Sequence, residues 1–142
     1  MHKSTRVLFL GTANAGRSLM AEALLRSMDS ERFVAFSAGI DPAEINPLTL
    51  QVLEDAGVGV EGLHPQNVTE FLGKVHFGYV ITVCDWARQN CPTAFLTMGQ
   101  RLHWTLDDPL KFRGSEEETL ATFRRVRDET EQRVRAWLAE QS

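Results

Sequence analysis

Cysteine, proline and tyrosine are scarce in this chain: two Cys, five Pro and one Tyr among 142 residues. Two cysteines cannot form the multi-bridge framework that small secreted domains use in place of a core. So few prolines leave no Pro-rich linker, and no repeat or low-complexity segment is visible. Long apolar stretches are absent too; the longest run is about five residues, against the roughly twenty of a membrane-spanning helix. Neither charge sign dominates: the formal balance is −4, which argues against non-specific nucleic-acid binding. Any anion site must then be locally positive within an acidic whole. The opening Met1-His2-Lys3-Ser4-Thr5-Arg6 runs straight into a strand pattern, without the apolar region and cleavage site of a signal peptide. The expectation is a cytoplasmic protein that engages no membrane and no nucleic acid, with a monomer as the default.

What is present suits one domain, spanning residues 1–142, with a real core: 43% of residues are apolar and 24% charged. Apolar runs alternate with helical stretches, the pattern of an α/β domain with a parallel sheet. Arg6 to Leu10, Phe33 to Ala38, Tyr79 to Val83 and Leu102 to Trp104 read as strands. Arg17 to Met28 and Pro47 to Asp55 read as helices, the second opened by Pro47 and stopped by Gly57. Asn67 to Leu72 predicts a helical turn and Asp85 to Asn90 a small helix before Pro92. From Ser115 to Ala139 runs a long amphipathic helix, opened by the capping-box pair Ser115 and Glu118. Its apolar face is Leu120, Phe123, Val126, Val134, Trp137 and Leu138, with a weak turn at Thr130, and its charges read as a solvated face.

The most informative segment is Gly11-Thr12-Ala13-Asn14-Ala15-Gly16-Arg17-Ser18. It joins an apolar strand to a helix N-terminus, so loop amides and the helix dipole can face one anion, and Arg17 adds a planar fork of donors. Three readings compete. A nucleotide P-loop fits except that arginine replaces lysine before Ser18. A phosphatase-like Cys-x5-Arg-Ser loop fits except that Gly11 stands at the cysteine position. The third is a glycine-rich turn with no ligand.

The downstream half adds Asp107-Asp108-Pro109, a turn whose aspartate could act as a general acid beside the cradle. Cys84 ends a strand, on the edge where ligands collect in open α/β sheets. Cys91 follows seven residues later; on a helix the pair would stand roughly 10 Å apart along the axis. A disulfide needs Cα atoms within about 7 Å, so the pair reads as a redox switch that requires the segment to unwind or to begin off the helix.

These motifs, in this order, resemble the thioredoxin-coupled arsenate reductases built on the low-molecular-weight tyrosine phosphatase fold. The resemblance rests on Asn14, Arg17, Ser18, Ala21 and Glu22; Ser37-Ala38-Gly39-Ile40; Asn46-Pro47; Cys84 to Cys91-Pro92; His103-Trp104; Asp107-Asp108-Pro109; and Phe123 with Arg125 to Glu129. It implies an α/β three-layer fold around a four-stranded parallel sheet. It implies that the amides of Thr12, Ala13, Asn14, Ala15, Gly16, Arg17 and Ser18 hold arsenate, with phosphate or sulfate as mimics. Asp108 would protonate the departing oxygen, Cys84 would attack the loop sulfur, and Cys91 would attack Cys84 and present a disulfide to thioredoxin as external reductant. Asn14 would brace the loop and Ser18 would orient the nucleophile. No tightly bound cofactor is implied, although Asn14, Glu22, Ser37 and Asn67 are candidates for a monovalent cation. At Gly16 many relatives carry cysteine or alanine. Leu110-Lys111-Phe112-Arg113 lacks the paired tyrosines expected of a tyrosine phosphatase.

Gly11 departs from that pattern at its first step. Glycine supplies no nucleophile, Thr12 and Ser18 lack an evident base, and Cys84, outside the loop, is not expected to attack the ligand in line. The expectation is a reductase scaffold that binds oxyanions and turns over arsenate negligibly. The alternative is an arsenate- or phosphate-binding pseudoenzyme or regulatory protein with a Cys84–Cys91 redox switch.

Overall fold

A computed structural model describes residues 4–92 and 99–141; the Met1-His2-Lys3 lead-in lies outside the described residues. Four strands, β1 (Thr5–Gly11), β2 (Phe33–Gly39), β3 (Tyr79–Thr82) and β4 (Gln100–His103), form one parallel sheet in the order β2-β1-β3-β4. The helices are α1 (Arg17–Met28), α2 (Pro47–Asp55), α3 (Asp85–Gln89) and α4 (Glu116–Glu140), with short 3-10 turns at Val68–Phe71 and Pro109–Lys111.

β1 is central, and its run Val7-Leu8-Phe9-Leu10 is wholly buried, as a parallel strand covered on both faces must be. The two-residue period divides it. Val7 and Phe9 join α1, α2 and α4 in one core, together with Ile81, Trp104 and Leu106. Leu8 and Leu10 join Ala38, Val80, Phe77, Phe71 and Ala87 on the opposite face. The result is the three-layer arrangement expected from the sequence.

Strand and helix ends differ from the sequence reading by a residue or two, because pairing continues past the last regular residue. Val83 N donates to Leu10 O and Trp104 N to Thr82 O, although neither residue lies within its strand. Asn67 caps the turn at Val68–Phe71, and Ser115 with Glu118 forms the predicted capping box of α4. Thr130 is not a weak turn: it is fully buried and its hydroxyl donates to Val126 O at 2.7 Å, which satisfies it inside the helix.

β1 is also where the strand order reverses. The chain leaves β1 toward β2 on one side, and β3 lies on the other. The loop after β1 therefore opens into the crevice at the carboxyl ends of the strands, the usual ligand site of open α/β sheets.

Candidate functional site

The loop from Thr12 to Gly16 wraps a cavity of about 500 Å³. Its carbonyls point outward and are held there. Ile40 N donates to Gly11 O, Asp41 N to Thr12 O, Ala43 N to Ala13 O, and Thr49 Oγ1 to Ala15 O at 2.8 Å. With the carbonyls pinned outside, the amides are turned inward. None of the amides of Thr12 to Gly16 finds a backbone acceptor among the described residues. Buried donors without acceptors at a helix start form an anion cradle.

Two residues set this curvature. Asn14 has φ +52°, the left-handed conformation that asparagine tolerates better than most residues. Its side chain is buried and braces the loop twice: Nδ2 donates to Ser18 Oγ at 2.8 Å, and Oδ1 accepts from Gln66 N at 2.8 Å. Gly39 presses on the loop from β2, where a Cβ would lie 2.6 Å from Thr12 O. Only glycine permits that approach. Gly16 is less constrained: a Cβ there would meet only the Leu110 side chain, at ordinary contact distance.

Arg17, the first residue of α1, ties together the segments after three strands. Nη1 donates to Val83 O at 3.3 Å and to Leu106 O at 2.8 Å, while Nη2 lies 3.4 Å from Asp108 Oδ2. Both side chains are largely buried, at 12% and 17% exposure, so this pair is less screened than a surface ion pair. Asp108 is itself fixed as the cap of the turn at Pro109–Lys111, accepting from Leu110 N at 3.0 Å. Arginine and the expected acid thus share one wall of the cavity.

Cys84 shares that cavity too. Its Sγ lies 3.1 Å from Thr12 Oγ1 and accepts from Ala87 N at 3.4 Å as the cap of α3. Cys84 has extended backbone and Cys91 follows the C-cap Asn90, so both cysteines flank α3 and neither lies within it. Cys91 lines a separate cavity of about 250 Å³ with Arg88, Arg101 and His103. Burial pushes its thiol above the ordinary value, and the Arg101 charge opposes that shift. Both cysteines are free thiols.

Sequence reasoning missed several participants. Trp86 lines the cavity beside Cys84 and is 45% exposed; nothing in its sequence context marks it. Thr49, which holds the Ala15 carbonyl, is marked only by being a threonine on an otherwise apolar helix face. His103, part of the resemblance, bonds Thr82 Oγ1 through Nδ1 at 2.7 Å and Asp85 Oδ1 through Nε2 at 3.0 Å. It thereby ties β3 and β4 to the first turn of α3.

The candidate cation set does not fit as a group. Asn67 Oδ1 already accepts from Thr69 N and Thr69 Oγ1, which uses both of its lone pairs. Glu22 Oε1 accepts from Ser37 Oγ at 2.6 Å. Burial raises the Glu22 carboxyl above 4.5, opposed by the Ser37 hydrogen bond and by the charges of Arg26 and His64. Glu22 and Ser37 are thus paired with each other, and Glu22 Oε2 faces Arg26 at 3.8 Å.

The model of the low molecular weight phosphotyrosine protein phosphatase family matches residues 6–142. The chain is 35% identical over 136 residues to an arsenate reductase of Bacillus licheniformis, covering 95% of each chain. It is 34% identical over 132 residues to one from Halalkalibacterium halodurans, covering 92% of this chain and 93% of that one. Among solved structures, the thioredoxin-dependent arsenate reductase of Corynebacterium glutamicum superposes with a TM-score of 0.74 at 29% identity, over 96% of this chain and 61% of that one. With the cradle, the paired Arg17 and Asp108 and the three-layer sheet all in place, the chain belongs to the low molecular weight phosphotyrosine protein phosphatase family, beside its arsenate reductase members.

Proposed function

We propose that this chain is an arsenate reductase scaffold that binds tetrahedral oxyanions and lacks the sulfur needed to start their reduction. The observation that carries the reading is a single cavity lined by the amide cradle, Arg17, Asp108 and Cys84. A phosphatase needs the first three; a thiol at the mouth has no hydrolytic role and suits redox chemistry. Arsenate and phosphate share shape and charge, so the cradle accepts either.

The positions of these groups support the following steps. Inward amides and Arg17 hold the anion and stabilise the charge that builds on its equatorial oxygens. A sulfur at position 11 would attack arsenic from the base of the cradle, and Asp108 would supply the proton to the departing oxygen. Cys84, held against Thr12, would attack that sulfur, form a disulfide with it and release arsenic reduced by two electrons. Cys91 would displace the loop sulfur from Cys84, and a protein dithiol such as thioredoxin would reduce the Cys84–Cys91 disulfide. A reducing compartment such as the cytoplasm keeps both thiols free. No resident cofactor enters the scheme.

Gly11 halts the first of these steps. The cradle itself survives, because its donors are backbone amides. A second reading, an oxyanion-binding pseudoenzyme with a redox-active cysteine pair, rests on that same glycine. The two separate in one assay: arsenate-dependent NADPH consumption with thioredoxin and its reductase, on this chain and on Gly11→Cys. A Cβ at position 11 would lie 3.2 Å from Ser18 Oγ and 3.4 Å from Val83 Cγ2, so cysteine fits with a shift of a few tenths of an ångström. Gly11→Cys is expected to exceed this chain by several orders of magnitude, up to roughly 10⁶-fold, the scale of losing a covalent nucleophile. No turnover in either protein would leave the pseudoenzyme reading.

A further inference from the structure

Among the described residues, the hydroxyl at the base of the cradle has a donor as its partner and no acceptor. Ser18 is 2% exposed and lines the cavity beside Gly11. Its Oγ accepts from Asn14 Nδ2 at 2.8 Å, so its own proton must go elsewhere. No acceptor for that proton is found among the described residues. That Oγ lies 3.2 Å from where a side chain at position 11 would begin, and Val83 Cγ2 closes the same spot at 3.4 Å. A buried hydroxyl therefore faces the place where Gly11 has no side chain. Around it stand the inward amides, the start of α1 and Arg17, all favouring negative charge.

We propose that this place binds hydrosulfide, and that the bound sulfur is an exchangeable nucleophile replacing the missing side chain. The inference rests on the reductase reading of the same site. Hydrosulfide is anionic near neutral pH, has the radius of the absent atom and accepts a hydrogen bond from Ser18. Longer thiols such as 2-mercaptoethanol carry a carbon chain for which Ser18 and Val83, both close to that place, leave little room.

The chemistry balances without an unnamed reagent. Hydrosulfide sulfur attacks arsenic; an As–S bond forms, an As–O bond breaks, and the oxygen leaves as water with a proton from Asp108. Arsenic is still pentavalent at this point. The Cys84 thiolate attacks the bound sulfur, forming a Cys84 persulfide, and the As–S electron pair stays on arsenic, which departs as arsenite. The Cys91 thiolate attacks Cys84 Sγ and expels hydrosulfide, leaving the Cys84–Cys91 disulfide. Two electrons have passed from the cysteine pair to arsenic, a protein dithiol restores the pair, and the hydrosulfide is regenerated.

The test is the same NADPH assay on this chain with sodium sulfide, against a protein-free control and against 2-mercaptoethanol at equal concentration. Sulfide should raise turnover saturably, about tenfold or more above the protein-free rate, as expected of a restored nucleophile. Mercaptoethanol should not. Ser18→Ala and Cys84→Ser should each lose the stimulation while phosphate still raises their melting temperatures, which shows that they fold and bind. Gly11→Cys should turn over without sulfide. If Gly11→Cys is active and sulfide does nothing for this chain, the inference falls and the reductase reading stands. Equal stimulation by mercaptoethanol also overturns it, because the thiol is then a bulk reductant. If Gly11→Cys is inactive as well, both fall.

Discussion

At the scale of single residues, the site is built mostly from groups whose side chains do little. Thr12 to Gly16 contribute amides, Gly39 contributes the absence of a Cβ, and Gly11, in the reading proposed above, leaves the reaction without its nucleophile. Outside the cavity, behind the loop, Glu22 is the carboxyl whose titration burial shifts. Its folded value lies above the ordinary 4.5 because burial penalises the charge. Between those two values the folded chain holds more protons than the unfolded one, so stability falls as pH rises through that window. Glu22→Gln should remove that slope, leaving the Ser37 hydroxyl an amide oxygen to bond. Urea midpoints of both proteins from about pH 4 to pH 7 test this, and parallel profiles would show that Glu22 is not the source. At this scale the sequence is legible for chemistry and silent on burial. Glu22 and Ser37 are 15 residues apart, and nothing local says that they meet.

Elements decide what the cysteines can do. α3 is five residues long, too short to persist without its caps and its packing. Among the few bonds that hold it are Arg88 N to Cys84 O, Asn90 N to Trp86 O, and the weak sulfur cap from Ala87 N. Hydrogen bonds of this kind contribute about 1 kcal/mol each, so most of what opposes unwinding α3 is the burial of Ala87 and the bond between His103 and Asp85. The seven-residue spacing pointed to such an opening, and the structure adds that both cysteines already lie outside the helix. The neighbouring strand tunes the second thiol, since Arg101 on β4 opposes the burial of Cys91. Arg101→Ala should therefore move the Cys91 titration to higher pH and slow its alkylation by iodoacetamide, measured in a Cys84→Ser background. An unchanged rate would mean that the arginine charge is screened from the thiol. Sequence could not supply this pairing, because which side chains of β4 face Cys91 depends on strand register.

For the whole molecule, the anion site is a junction: Arg17 binds the ends of β3 and β4 to the start of α1. A ligand that binds only the folded chain raises its stability by mass action, about 2.7 kcal/mol at a hundred times its Kd. Phosphate or arsenate should therefore raise the melting temperature, by about 3 °C for each kcal/mol in a chain of this size. Arg17→Lys should abolish most of that shift, because lysine cannot hold two carbonyls, Asp108 and an anion with one planar fork. An equal shift in the variant would place the anion elsewhere.

The sequence by itself determined the element types, the α/β class with its parallel sheet, and the small-residue loop before α1. These are written in contiguous residues: period-2 and period-3.6 patterns, caps, and a run of small residues between a strand and a helix. Only the tertiary structure decided that the loop carbonyls face outward, that Ser18 has a proton to spare, and that Cys84 rests against Thr12 across 72 residues of chain. Those contacts follow from the register of β1 with β2 and β3. Register is settled by the packing of both sheet faces at once, which no local stretch of sequence contains.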